Sequence, residues 1–356
     1  MAMIARASGV EQHELPTRDD LNAGLRRQIL LPPPPPPKDF DALSADARAL
    51  EFYRLPPKPP LRAGRRAESL WARLLSKPIE VLPMIYPGSA TDFRVNRGRL
   101  GSGYPGRHET SFNWSGACIA ATEGTQFTQV WGAWEVPKPS APSPAPGDYR
   151  CSTWIGIDGH RRFDNSLPQI GTTQRIVVAA DGSVAPPSAE AWVQWWFRGD
   201  RDTGPWTLPN FPVQPGDHVR CVLTVIAQDH VRFFIKNETQ GGKSLSVDLL
   251  APTIPLPYPI GLPIEFPARG RTAEWVTERP TILHATDLYR LPNYGSVTFD
   301  DCFALAGTGG IGYQPQDLGN ARLIKMIETR DHPHRTAPLS KPEKLDQQTV
   351  QTSFVG

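Results

Sequence analysis

Proline interrupts this chain so often that long helices are ruled against from the start. Thirty-nine of the 356 residues are proline and another 30 are glycine, against a usual proline share of about 5%. Each proline removes a backbone donor and fixes φ, so a helix must end or kink where one falls inside it. The remaining grammar is that of strands. From His108 to about Thr329 the sequence breaks into short alternating segments bounded by glycine, proline and asparagine, as in sandwiches and barrels. Hydrophobic residues make up 39% of the chain, enough for a substantial core. At about 150 residues per domain the length fits two units or one large all-β domain with an appendage.

Three regions follow from this pattern. Residues 1–107 carry fifteen prolines, including Pro32 to Pro37 and the cluster Pro56, Pro57, Pro59 and Pro60. They read as an extended arm with two short helices, Ser44 to Tyr53 with Ser44 as N-cap, and Ala67 to Ser76 with Leu70, Trp71, Leu74 and Leu75 on one face. The arm holds 17 basic and 11 acidic residues, a charge of +6 that leaves −4 for the rest. That contrast suits docking of the arm on its own domain. Residues 108–329 form the β domain, and 330–356 lack periodicity and are expected to be a disordered tail.

Strands are expected at Phe127 to Val136, Cys151 to Ile157, Ala189 to Phe197, Thr272 to Glu278, Ser296 to Asp300 and Ala321 to Ile327. A hairpin joins His218 to Ala227 and His230 to Asn237, where Val219, Cys221, Leu223 and Val225 alternate with polar neighbours before Val231, Phe233 and Ile235 do the same. An antiparallel double sheet accounts for all of them.

Composition excludes several functions. A net charge of +2 argues against nucleic acid. No apolar window approaches the roughly 20 residues of a membrane span, and the first thirty residues show no secretory signal, so the expected compartment is cytoplasmic. Cys118, Cys151, Cys221 and Cys302 lie 33, 70 and 81 residues apart without a zinc pattern and read as buried free thiols. No cofactor or metal is expected. The pair His332 and His334 does not close a metal site, and the glycines from Gly307 to Gly312 precede no helix that could cradle a phosphate. The sequons at Asn113 and Asn237 read as a strand start and a turn.

The segment from Glu190 to Phe197 is the most informative. Period two places Glu190, Trp192, Gln194 and Trp196 on one face and Ala191, Val193, Trp195 and Phe197 on the other. The second set reads as core. The first places two indoles beside an amide and a carboxylate, the wall of an apolar groove with few polar groups.

Eight pieces, in order over about 190 residues, resemble the eqolisins or glutamic peptidases. They are Asn113 to Ala117 (NWSGA), Trp134 to Pro137 (WEVP), Trp154 to Gly159 (WIGIDG), Leu167 to Gly171 (LPQIG), Ala191 to Trp195 (AWVQW), Lys236 to Thr239 (KNET), Ala273 to Glu278 (AEWVTE) and Leu291 to Phe299 (LPNYGSVTF). The arm, with Phe40, Asp41 and Leu55 to Pro59, looks like the leader of bacterial relatives. The resemblance implies a concanavalin A-like double sheet, or jelly roll, and acid endopeptidase chemistry. In that chemistry a glutamate takes a proton from the attacking water and returns it to the leaving nitrogen, while a glutamine amide stabilises the oxyanion. Matched residue by residue, the glutamine falls on Gln169 and the glutamate on Gln194.

An amide cannot accept that proton, and general-base catalysis is worth about 10² to 10⁴ in rate. The first expectation is therefore a groove for an extended polypeptide, lined by Trp154, Trp192 and Trp196, with proteolysis lost or reduced. The second is an active peptidase using Gln169 and a displaced carboxylate. Asp158 matches an aspartate near the family's site. Glu190 lies about 13 Å from Gln194 along the strand, too far to serve the same water. Glu274 and Glu278 share a strand face and read as edge solubility or packing. A carbohydrate-binding module is the third expectation, since tryptophan-lined sheets also stack sugars.

Overall fold

A computed structural model describes residues 30, 34–85, 91–99, 108–161, 164–200, 203–254, 264–308, 312–329 and 336–356. His332 and His334, and part of the Pro32 to Pro37 run, lie outside the described residues. No helix among those described is long and apolar enough to cross a membrane.

Two antiparallel sheets pack face to face. One, here the cleft sheet, runs in the order Arg322–Thr329, Trp114–Ala120, Thr272–Glu278, Gly147–Ile157, Ser166–Val178, Ser188–Phe197 and Trp206–Thr207. The other, the back sheet, runs Lys243–Leu250, His230–Asn237, His218–Ala227, Gln126–Glu135, Ser296–Thr308 and Val350–Phe354. The hairpin has the expected bounds, with Val219 opposite Asn237. Alternation decides which side chains enter the space between the sheets: Ala191, Val193 and Trp195 face Val219, Leu223, Phe233 and Ile235 in one apolar cluster. All four cysteines are buried free thiols.

The outer faces of both sheets are covered by the arm. Helix α1, Ala47–Phe52, and helix α2, Gly64–Leu75, lie on the back sheet, where Leu50, Leu70, Trp71 and Leu74 pack against Trp131, Val222, Phe234 and Phe303. Buried Arg232 holds both carboxylate oxygens of Glu51 at 2.9 Å, and Lys236 donates to the carbonyls of Leu74 and Ser76 at the end of α2. The cap of α1 is Asp46, which accepts from the Ala49 amide at 2.7 Å. Ser44, the expected cap, instead bonds the Asp41 carboxylate at 2.8 Å in the preceding turn. Helix α2 begins three residues earlier than its apolar stripe suggests: Gly64 and Arg65 are exposed in the first turn, and Arg66 lies over the Phe303 ring at 5.1 Å.

The C-terminal region is the largest correction to the sequence reading. Residues expected to be a disordered tail form the strands Thr336–Lys344 and Val350–Phe354. Thr336–Lys344 pairs with Arg322–Thr329 of the cleft sheet and with Val350–Phe354 of the back sheet, so the tail is the seam between the two. Its polar character misleads because its partners are polar: buried Thr352 bonds Thr277 at 2.8 Å and Ser340 bonds Tyr294. Val350 is fully buried. A Val350→Asp chain would place an uncompensated charge there, at a cost of about 3–5 kcal/mol. Its thermal midpoint should drop well below wild type; a disordered tail would leave it unchanged.

Candidate active site

The outer face of the cleft sheet is aromatic. Trp114, Trp154, Trp192 and Trp196 project there with Val276, as the alternation in Ser188–Phe197 requires, and form one buried cluster. Trp114 and Trp154 meet edge to face at 5.0 Å. The groove they line is filled by the chain itself. Phe93 and Val95, from the arm, belong to the same cluster and are fully buried.

Gln169 and Gln194 lie directly opposite each other on neighbouring strands. Gln169 Nε2 donates to Gln194 Oε1 at 3.1 Å and to the Val95 carbonyl at 3.3 Å. A carbonyl can only accept, so Val95 fixes which end of the Gln169 amide is the donor. Gln169 Oε1 and Gln194 Nε2 are buried without a protein partner.

The next atom along the backbone meets a carboxyl group. The Asn96 amide donates to Glu278 Oε1 at 2.9 Å. The Val95 carbonyl and the Asn96 amide are the two ends of one peptide bond, so Gln169 and Glu278 grip a single peptide unit. Glu278 is set in place by further donors: Asn113 Nδ2 at 3.2 Å, Trp114 Nε1 at 3.0 Å and Trp154 Nε1 at 3.1 Å. Burial outweighs these four bonds and pushes its carboxyl up to about 8.

The remaining sequence candidates occupy other positions. Asp158, at φ 69°, accepts from the backbone amides of Arg269, Gly270 and Arg271 at 2.6, 3.1 and 2.7 Å, and so holds the turn before Thr272–Glu278. Burial raises its carboxyl to about 6. Glu190 is exposed, paired with Thr173 four residues along the strand from Gln194. Glu274 is buried, faces Cys118 Sγ at 3.7 Å, and is pushed well up by burial. It occupies the same cross-strand row as Gly156 and Gln169, but the peptide bond is met by Glu278. Neither glutamate is at a sheet edge, since Thr272–Glu278 pairs on both sides. Among the described residues no cluster of His, Cys, Asp or Glu could hold a metal ion. The sequon residues Asn113 and Asn237 are both fully buried, their amides engaged by Glu278 and Asp217.

A carboxyl and an amide thus bracket one peptide bond on the tryptophan-rich face of a double-sheet sandwich. The sequence profile described as the peptidase A4 family matches residues 112–352, and the chain belongs to that family, the glutamic peptidases or eqolisins. Among solved structures it is similar to scytalido-glutamic peptidase bound to a transition-state analogue inhibitor, at 18% identity and a TM-score of 0.48 over 68% of this chain and 98% of that one. It is also similar to SCP-B, an eqolisin in complex with the tripeptide Ala-Ile-His, at 18% identity and TM-score 0.46 over 68% and 98%. Aspergilloglutamic peptidase from Aspergillus niger gives 19% and 0.40 over 58% and 99%. No curated protein matches the chain.

The raised carboxyl predicts a pH dependence of stability. The folded chain favours neutral Glu278, so this contribution is complete below the unfolded value of about 4.5 and is lost as pH rises through about 8. Glu274 and Asp158 act in the same direction. Between pH 4.5 and 8.5 the thermal midpoint of the wild type should fall, and that of Glu278→Gln should fall less. Equal slopes would show that Glu278 ionises as freely in the folded state as in the unfolded chain.

Proposed function

We propose that the protein is an acid endopeptidase in which Glu278 is the proton carrier and Gln169 the oxyanion donor. One observation carries this reading: both side chains contact the same peptide bond, one at its oxygen and the other at its nitrogen. That is the division of labour amide hydrolysis needs. When a substrate replaces the arm segment and water reaches Glu278, the burial that keeps its carboxyl neutral is relieved and the group ionises. Water then attacks the carbonyl carbon and gives a proton to the Glu278 carboxylate. The carbonyl oxygen gains negative charge against the Gln169 N–H. As the C–N bond breaks, Glu278 passes the proton to the departing nitrogen, leaving a carboxylic acid and an amine. Gln169 Oε1, with no protein partner, is free to accept from the attacking water.

Gln194 then need not be a lost catalytic glutamate. It accepts from Gln169 and orients that amide, a role an amide performs as well as a carboxylate. This reading favours the displaced-carboxylate alternative over a cleft without hydrolysis. Trp154 acts through its indole N–H on Glu278, and Trp192 and Trp196 supply apolar wall. Asp158 positions the strand that carries Glu278 without touching the cleft.

The test is cleavage of a denatured protein between pH 2 and 7. The wild type should cleave to the extent that the unfolded substrate displaces the arm segment from the groove; Glu278→Gln should be slower by about 10² to 10⁴ and Gln169→Ala by about 10² to 10³. Gln194→Glu should bring no gain. A chain that cleaves only after Gln194→Glu would overturn the assignment and restore Gln194 as the vacant base position.

A further inference from the structure

Residues 91–99 run through the cleft, and their contacts have the form of peptide recognition. Phe93–Arg94 pairs antiparallel with Thr281–Ile282, placing Phe93 opposite Ile282 and Arg94 opposite Thr281. The Leu283 amide donates to the Asp92 carbonyl at 3.0 Å, continuing the ladder. Addition of a strand to a short sheet edge is a common way to hold an extended peptide, with main-chain bonds for affinity and pockets for side chains. The side chains fill such pockets. Phe93 is buried in the tryptophan cluster with the Arg150 guanidinium 5.8 Å from its ring centroid. Val95 is buried in the same cluster, two residues on.

Beyond the gripped bond, Asn96 is held three ways: its amide by Glu278, its carbonyl by Trp114 Nε1 at 2.9 Å, and its side chain, which donates to Thr281 Oγ1 at 2.7 Å. Gly98 then passes over the Trp114 ring so closely that a Cβ there would approach it to 3.0 Å. Arg94 is directed away from the catalytic pair, to the carbonyls of Asp200 and Ala285 at 3.1 and 2.8 Å.

We infer that residues 91–97 are a tethered substrate mimic: they close the cleft from within, and their side chains report the peptides it selects. The preferred substrate is an extended polypeptide with an aliphatic residue supplying the carbonyl held by Gln169, an aromatic residue two positions earlier, and a carboxamide residue supplying the nitrogen held by Glu278. The choice of Val95–Asn96 as the scissile register rests on the peptidase reading; occupation of the cleft by the segment does not. A covalent tether gives the segment a local concentration on the order of millimolar, so free peptides compete poorly until it is displaced.

The test uses a fluorescein-labelled peptide of residues 91–97, TDFRVNR, and full-length chains. Arg94→Ala removes an anchor outside the catalytic pair, and Phe93→Ala removes the aromatic plug. By anisotropy, either variant that melts cooperatively should bind the peptide at least tenfold more tightly than wild type, and should bind a version carrying Val95→Asp at least tenfold more weakly than TDFRVNR. Equal binding by wild type and a folded variant, or of both peptides, overturns the inference. On the wild type itself, millimolar TDFRVNR should accelerate hydrogen exchange at the Asn96 amide by displacing the segment; unchanged exchange also overturns it. Tight binding without hydrolysis would retain the mimic and remove the peptidase reading. Hydrolysis between valine and asparagine supports both.

Discussion

A single buried carboxyl group organises the cleft. Glu278 sits at the centre of a sheet, out of water, and an isolated charge there would be expensive. The fold surrounds it with N–H donors from separate parts of the chain: Asn96 from the arm, Asn113 and Trp114 from the start of the β domain, and Trp154 from a neighbouring strand. Those donors align the carboxyl, and the same demand for donors draws the arm into the groove. Removing any one shifts the balance between the neutral and the ionised carboxyl.

The arm uses different physics on the two faces of the sandwich. On the back sheet it offers amphipathic helices, and the apolar contact is reinforced by ion pairs such as Glu51 with Arg232 and Arg73 with Asp301. Helical packing of this kind is an enduring attachment, since Leu70, Trp71 and Leu74 would all be exposed by undocking. On the cleft sheet the arm offers one extended strand whose backbone atoms are bonded to Gln169, Glu278 and Trp114. Its buried side chains, Thr91, Phe93, Arg94, Val95 and Asn96, include only two large apolar ones, a smaller apolar anchor than the helices provide. The proposed exchange of the cleft strand would therefore leave the helices docked.

Much of the framework was legible before the structure. The hairpin His218–Ala227 and His230–Asn237 was marked by strict alternation on both strands, and the two faces of Ser188–Phe197 separate as period two requires, except that Phe197 stays half-buried against Phe266. Trp154, Trp192 and Trp196, expected on one wall with Gln169 and Gln194, share one buried cluster, and the two amides bond each other. Glu278 was read, with Glu274, as strand-edge solubility or packing, whereas its strand pairs on both sides. A signal was present: Ala273, Trp275 and Thr277 form an apolar to neutral face, so Thr272–Glu278 suits a strand covered on both sides, where a carboxylate needs a reason to be there. The tail was missed because its buried threonines and serines pair with one another across strands, and polar zippers leave no hydrophobic alternation to detect.

The sequence by itself determined the all-β class, the hairpin, the apolar faces and the amide Gln169, because each depends on local period or on a motif read in order. Tertiary structure alone decided which carboxyl meets that amide. Glu278 and Gln169 are more than one hundred residues apart, and their meeting depends on the pairing of three strands and on a peptide unit from a fourth segment lying between them. Hydrogen bonds act over about 3 Å, a separation that no one-dimensional spacing encodes.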